Sequence, residues 1–222
     1  MKNTILLLVL TVLSLSACQR KWKKTAPATF IVEVHKVQNS PSITITNGMM
    51  ILDKFEFEGK RKQGNDVFFT NETVGLSRVD LGTSAFLSPL NYDIPQGTYT
   101  EIRCRLRFNS EDSSIPSVKI EGTFLNSLNQ PIPFIFETED HVPVEITLSG
   151  IEQVFVEEET ILPVFHFNAN QWFSALTNNQ LETADTELVN NLPTILINED
   201  SNTDLYELVI SRIGTIETLE FE

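Results

Sequence analysis

The sequence predicts an all-β fold, and three observations carry that expectation. Phe occurs 15 times in 222 residues and β-branched residues are frequent, a bias that suits pleated, half-buried surfaces. Residues 99–108 alternate strictly, with Ile102, Cys104, Leu106 and Phe108 on one face and Glu101, Arg103, Arg105 and Arg107 on the other, the period of two of a strand with one buried side. Similar short runs recur between clusters of turn residues without alternating helices, which indicates an antiparallel sandwich or barrel.

The elements follow in order. Residues 18–28, ending Ala26-Pro27-Ala28, read as a tether. From Thr29 the alternation of Phe30, Val32 and Val34 with Ile31, Glu33 and His35 marks a first strand. Residues 42–46 and 50–58 are further strands. The basic turn Lys60-Arg61-Lys62 and Gly64-Asn65-Asp66 then lead to a return strand at 67–70, a hairpin signal. Gly97 precedes the arginine-bearing strand, and the polar run 109–114 follows it as turn chemistry. Strands are expected at 118–125, 132–137, 142–148, 153–156 and 161–168. Pro131, Pro133, Pro143 and Pro163 mark edge strands or bulges. Beyond residue 170 the texture turns polar. A short helix at 171–177 capped by Asn170, a second near 186–191, and a helix at 205–213 with Leu205, Leu208, Val209 and Ile213 as its apolar stripe are expected. Ser201 and Asp204 resemble a capping box, and Gly214 is a natural stop. The domain plan is a sandwich over residues 29–170, of transthyretin- or immunoglobulin-like architecture, and an acidic C-terminal segment, 171–222, packed on it with a helix near 203–213.

The N-terminal stretch speaks to location. Lys2 precedes an apolar run at 5–13 that falls short of the roughly 20 residues needed to span a bilayer and has the flanks of a signal peptide. Leu15-Ser16-Ala17-Cys18 follows, and it resembles the lipidation site of bacterial lipoproteins. Residues 1–17 are expected to be removed and Cys18 to carry diacylglycerol on its sulfur. Two acyl chains hold a protein on a membrane where one does not. Arg20, Lys21, Lys23 and Lys24 with Trp22 suit anionic head groups at about 1 kcal/mol per cation, and the same run serves equally as a solvated tether. Gln19, where Asp would favour retention in the inner membrane, points by the same resemblance to the outer membrane, on its periplasmic or cell-surface face. Cys104 is the only other cysteine, so with Cys18 lipidated the fold is held by packing rather than by a disulfide.

Charge is divided unevenly. Residues 1–119 carry 15 Lys or Arg against 11 Asp or Glu, whereas residues 120–222 carry Arg212 alone against 19 acids. Such a half repels nucleic acid and attracts cations or basic partners; its simplest role is solubility. Three constellations are candidate sites. Arg103, Arg105 and Arg107 form a cationic ladder that could seat a carboxylate or phosphate, and whose simpler reading is pairing across strands with acids such as Glu56 and Glu58. Asn198, Asp200, Asn202 and Asp204 space oxygen-bearing side chains as a calcium loop does, but Thr203 and Val209 stand where that loop needs Gly and Glu, so they are weak candidates and calcium is at most a possible cofactor. Glu137, Glu139, Asp140 and His141 gather acids beside one imidazole with no second His or Cys at ligand spacing. Cys104 reads as a buried small hydrophobe, and His35 and His166 as structural.

Val79-Asp80-Leu81, Leu90, and then Ile94-Pro95-Gln96-Gly97-Thr98-Tyr99-Thr100-Glu101-Ile102-Arg103 resemble the middle of an uncharacterised bacterial lipoprotein family, that of domain of unknown function 4382. Residues 144–167 are similar to its later strands. Over residues 29–170 the resemblance implies a β-sandwich on a lipid anchor, with no assigned activity and no functional residues to carry over. Catalytic signatures are absent: no nucleophile elbow, paired-histidine zinc motif, phosphate-binding glycine loop or dinucleotide fingerprint occurs. The expected function is therefore non-enzymatic, an outer-membrane lipoprotein acting as a binding or assembly module of the cell envelope. A glycan- or calcium-binding lipoprotein using the acidic half comes second, and a carboxylate-based hydrolase third. Partners are the membrane, through the anchor, and an envelope protein or glycan, not nucleic acid.

Overall fold

The structure, a computed structural model, describes residues 24–35, 42–81, 90–157, 159–213 and 218–221. The signal-like segment, Cys18 and Gly214 lie outside them. In chain order the elements are β1 (Thr25–His35), β2 (Ile43–Arg61), β3 (Val67–Asp80), β4 (Leu90–Pro95), β5 (Gly97–Phe108), β6 (Val118–Leu125), β7 (Pro131–Thr138), β8 (Val142–Phe155), β9 (Pro163–Asn168), α1 (Ala169–Trp172), α2 (Asn178–Thr183), β10 (Thr186–Val189), β11 (Leu192–Ile197), α3 (Thr203–Ile213) and β12 (Thr218–Phe221). The fold is an all-β, mostly antiparallel sandwich with a few short helices.

A small sheet runs β12-β9-β1-β4. A large one runs β10-β11-β7-β6-β2-β5-β8, with β3 also paired to β2. The large sheet is narrower and longer than its strand count suggests. β2 pairs with β6 through Ile43–Met50 and with β5 through Leu52–Arg61. Between them, the Ile51 N–H donates to the Ser117 carbonyl and the Ile51 carbonyl accepts from the Asn109 N–H. β5 and β6 are thus collinear halves of one line along a single edge of β2, interrupted by residues 109–117. β7 on β6 and β8 on β5 repeat the arrangement in the next line, and β3 occupies the opposite edge of β2. The 19 residues of β2 are the continuous spine.

Alternation decides what faces inward. From β1, Phe30 and Val32 are fully buried, Phe30 against Phe55 and Phe57 of β2. The Phe30 ring lies 4.8 Å from that of Phe55 and stacks on Phe165 of β9 at 6.1 Å. The small sheet covers only part of the large one, and helices cover β7 and β11. Phe173, just after α1, packs on Phe134 and Phe136 at 5.2 and 6.1 Å, and Tyr206 of α3 stacks on Phe136 at 5.8 Å. On β6, Gly122 admits this packing: a Cβ there would come within 2.5 Å of both the Thr44 carbonyl and the Phe134 ring.

Several expectations are corrected. The sandwich begins before Thr29: Thr25 to Ala28 are strand, paired with Pro95 back to Tyr92. Pro27 disguised this, yet its carbonyl accepts from the Ile161 N–H, and Ala26 and Ala28 are buried on alternate positions. Residues 171–222 complete both sheets, since β10 and β11 extend the large one and β12 the small one. The runs 42–46 and 50–58 are one strand, as are 142–148 and 153–156. The helix expected near 186–191 is β10 and its turn. Asn190 and Asn191 take φ of 51° and 65° between the paired Val189 and Leu192, a two-residue hairpin turn of mirror-image type. The helix of 203–213 is present, with Leu205, Tyr206, Val209 and Ile213 buried, but Ser201 bonds Glu187 instead of closing a capping box. That motif occurs at α2, between Thr177 and Gln180. Two pairs are parallel, β1 with β9 and β7 with β11. Each joins strands separated by a long crossover, the connection that parallel neighbours require.

Candidate functional site

The arginine ladder is built as the alternation predicts, on the outward face of β5. Each guanidinium is met by acids from the strands on both sides or from β2 alone. Arg105 sits in one row between its partners Glu56 and Glu145, with Nε 2.6 Å from Glu145 and Nη1 3.2 Å from Glu56. Arg103 reaches Glu58 at 3.3 Å, Glu145 at 3.5 Å and the Thr147 hydroxyl at 3.3 Å. Arg107 makes a fork-like contact with Asp53, Nη2 to Oδ2 at 2.6 Å and Nε to both oxygens at 3.0 Å. Hydrogen bonds to Glu145, then Glu56, raise the pKa of Arg105, and Asp53 raises that of Arg107. The Lys54 ammonium, 2.9 Å away, and then Arg105 hold the Glu56 carboxyl below its ordinary value despite partial burial. The ladder is therefore neutralised by its own neighbours, and the depression of about 350 Å³ beside Arg105 and Arg107 is shared with Glu56 and Glu145.

Asp53 is the member that sequence reading missed. Register shifts between Leu52 and Lys54 in the pairings with both β3 and β5, so Asp53 is a bulge residue. The bulge turns its carboxylate, side chain 10% exposed, onto Arg107. The signal was present: the inward positions change from even, Met50 and Leu52, to odd, Phe55 and Phe57.

The acids of the C-terminal half meet where the two collinear lines break. A cavity of about 360 Å³ is lined by Glu137 and Thr138 from the end of β7, by Glu139 and Asp140 from the β7–β8 break, by Asn198, Glu199 and Asp200 from the loop after β11, and by Ser114 and Pro116. Two sequence-separated candidate groups thus come together. At its inner end Glu199 Oε1 accepts from the Thr138 and Tyr206 hydroxyls, each at 2.7 Å, and the Tyr206 hydroxyl lies 3.4 Å from Asp140. Burial alone would raise the Glu199 pKa; these hydroxyls and nearby backbone N–H groups outweigh it and hold the carboxyl below its ordinary value. Burial, reinforced by Glu199, pushes the Tyr206 hydroxyl well above the usual phenol range.

The asparagines of the calcium-like loop are engaged within the protein. Asn198 Oδ1 accepts from the Asp200 and Ser201 N–H groups, and its amide donates to Glu137. The Asn202 amide clasps the carbonyls of Asp185 and Leu196. Asp200, Asn202 and Asp204 line a second depression with Asp185, and Asp200 borders both. Among the described residues no group of three His, Cys, Asp or Glu side chains is arranged to hold a metal ion.

His141 is exposed and outside the cavity lining. His166 lies 3.4 Å from Glu33 and 4.0 Å from Glu220; the side chain of His35 is outside the described residues. Cys104 is fully buried, and desolvation raises its thiol far above the reactive range. In the family-like stretch, the Tyr99 hydroxyl donates to the Pro95 carbonyl at 2.6 Å and locks the turn before β5. No family model, curated protein or solved structure matches this chain.

Proposed function

We propose that this protein is a lipid-anchored β-sandwich of the bacterial cell envelope, held on the outer membrane through Cys18 and acting as a non-enzymatic binding or assembly module. The observation that carries the reading is Leu15-Ser16-Ala17-Cys18 placed just ahead of the first strand. Residues 19–24 alone separate Cys18 from Thr25, a span of at most about 25 Å when extended. Lys24 is already fixed to the body, its carbonyl accepting from the Gln96 N–H and its ammonium 2.5 Å from Glu157. An acyl group on Cys18 would therefore seat the Gln96 end of the sandwich near the lipid. The resemblance of residues 29–170 to the lipoprotein family of domain of unknown function 4382 supports the same reading.

The test is metabolic labelling with palmitate and fractionation of the wild type against Cys18→Ser. The wild type is expected to be labelled, to sediment with membranes and to lack residues 1–17. The variant is expected to lose the label and the cleavage. A wild type that takes up no label or keeps residues 1–17, or a variant labelled and cleaved like the wild type, sinks the proposal.

A second reading, binding of glycan or calcium, draws on the acidic cavity, where five carboxylates meet. A melting temperature that rises with calcium and falls again with chelator would carry its calcium form; identical melting in both removes it.

A further inference from the structure

We propose that the outer face of β6, β7, β11 and β10 is a docking surface for an amphipathic helix of a partner protein whose apolar stripe is flanked by Lys or Arg. This deepens the reading of the chain as a binding module by naming the surface and the partner's chemistry. The face is at the far end of the molecule from Lys24. Lys24 bonds Gln96, next to the start of β5, whereas Leu125 ends β6 at the other extreme of the same line, and β2 alone spans roughly 60 Å at a strand's rise per residue.

Register places the surface. Leu125 lies opposite Pro131, Ile135 beside Leu196, and Val189 opposite Leu192. These six alternate with Phe124, Phe134, Phe136, Ile195 and Ile197, which are at most 2% exposed on the inner side, so they point outward. Leu192 is 58% and Leu125 36% exposed, Pro131 is exposed, and the other three are half-buried. The inner side of β7 and β11 is already filled by α1 and α3, so the same strands are apolar on both faces and partnered by helices on one. Four strands at about 4.8 Å spacing give a width near 15 Å, which seats one helix of about 10–12 Å diameter.

Charge selects the occupant. Glu121, Glu137, Glu187 and Lys119 share this face by alternation, and Lys119 is held by Glu121 at 2.9 Å. Glu137 accepts from the Asn198 amide and Glu187 from the Ser201 hydroxyl. The border is acidic, as is the whole half behind it, with 19 acids against Arg212. A second copy would lay acids on acids; cationic flanks complement them.

The test uses the chain from residue 18 onward carrying Cys18→Ser, so that neither the acyl group nor the apolar residues 5–13 bear on its result, and two probes: an amphipathic helical peptide of about 18 leucines and lysines, and its leucine–glutamate counterpart with the same stripe. In NMR titrations the lysine peptide is expected to shift amides of β6, β7, β10 and β11, and the glutamate peptide to leave them unmoved. Leu192→Ser should weaken binding at least tenfold, and Glu187→Lys should weaken the lysine peptide and strengthen the glutamate one. Phe68→Ser, an exposed apolar change on β3 (62% exposed), should do neither. Melting curves confirm that each variant is folded. Shifts centred on the acidic cavity, equal binding of both peptides, no binding of the lysine peptide, or a dimer of the chain that buries these strands would each overturn the proposal.

Discussion

Asp53 and Arg107 show how one extra residue changes a surface. The bulge at Asp53 takes a carboxylate that would otherwise stand in the outward row and presses it, nearly buried, onto a guanidinium that is 41% exposed. Charge-assisted pairs of this kind contribute more than neutral hydrogen bonds. Asp53→Ala is expected to cost about 1.5–3 kcal/mol, read as a lower denaturation midpoint. Glu145→Ala, whose side chain is 50% exposed beside Arg105 and Arg103, should cost no more than about 1 kcal/mol. Equal losses would mean that the bulge is not what gives the pair its value. Glu199 offers a pH counterpart. Its carboxyl is held below the ordinary value of 4.5, so it binds protons less readily folded than unfolded. Its contribution is complete above that value and is lost as pH falls through the lower, folded one. The stability gap between wild type and Glu199→Gln should accordingly be widest near neutral pH and shrink on acidification; a gap that grows in acid contradicts the assignment.

At the scale of elements, the β10–β11 hairpin depends on backbone that few residues accept. Asn190 and Asn191 both occupy the left-handed region, which asparagine tolerates and a β-branched residue does not. Asn191→Val should destabilise by about 1–2 kcal/mol and lower Tm by a few degrees, whereas Asn191→Gly should hold or raise it; no difference between the two would argue against the turn. This hairpin also marks where sequence reading stops. Strands with one wet face announced themselves by alternation, as β5 did through Arg103, Arg105 and Arg107. The pairing of Arg103 with Glu58 and of Arg105 with Glu56 was legible because neighbouring strands offer acids in the same phase. β10 has four residues, too few for a period, and its polar, Asn-rich flank reads equally as helix or turn. The joining of 42–46 to 50–58 was hidden because residues 47–49 carry no alternation, and strand continuity comes from β6 and β3. The acidic cavity was half legible: both of its acidic runs stood out, but their meeting depends on β11 pairing in parallel with β7, a long-range contact without a local signature.

At the scale of the molecule, β2 is, among the described residues, the strand that reaches from one end to the other. Its pairing with β5 at one end and β6 at the other, bridged at Ile51, binds the helix-backed region and the sheet-backed region into one ladder. If an acyl group holds the chain near Lys24 while a partner pulls at Leu125 and Leu192, the load runs along the strands. Hydrogen bonds perpendicular to that line must then slip together instead of parting one by one. A body built this way would carry tension between such an anchor and such a partner without unzipping.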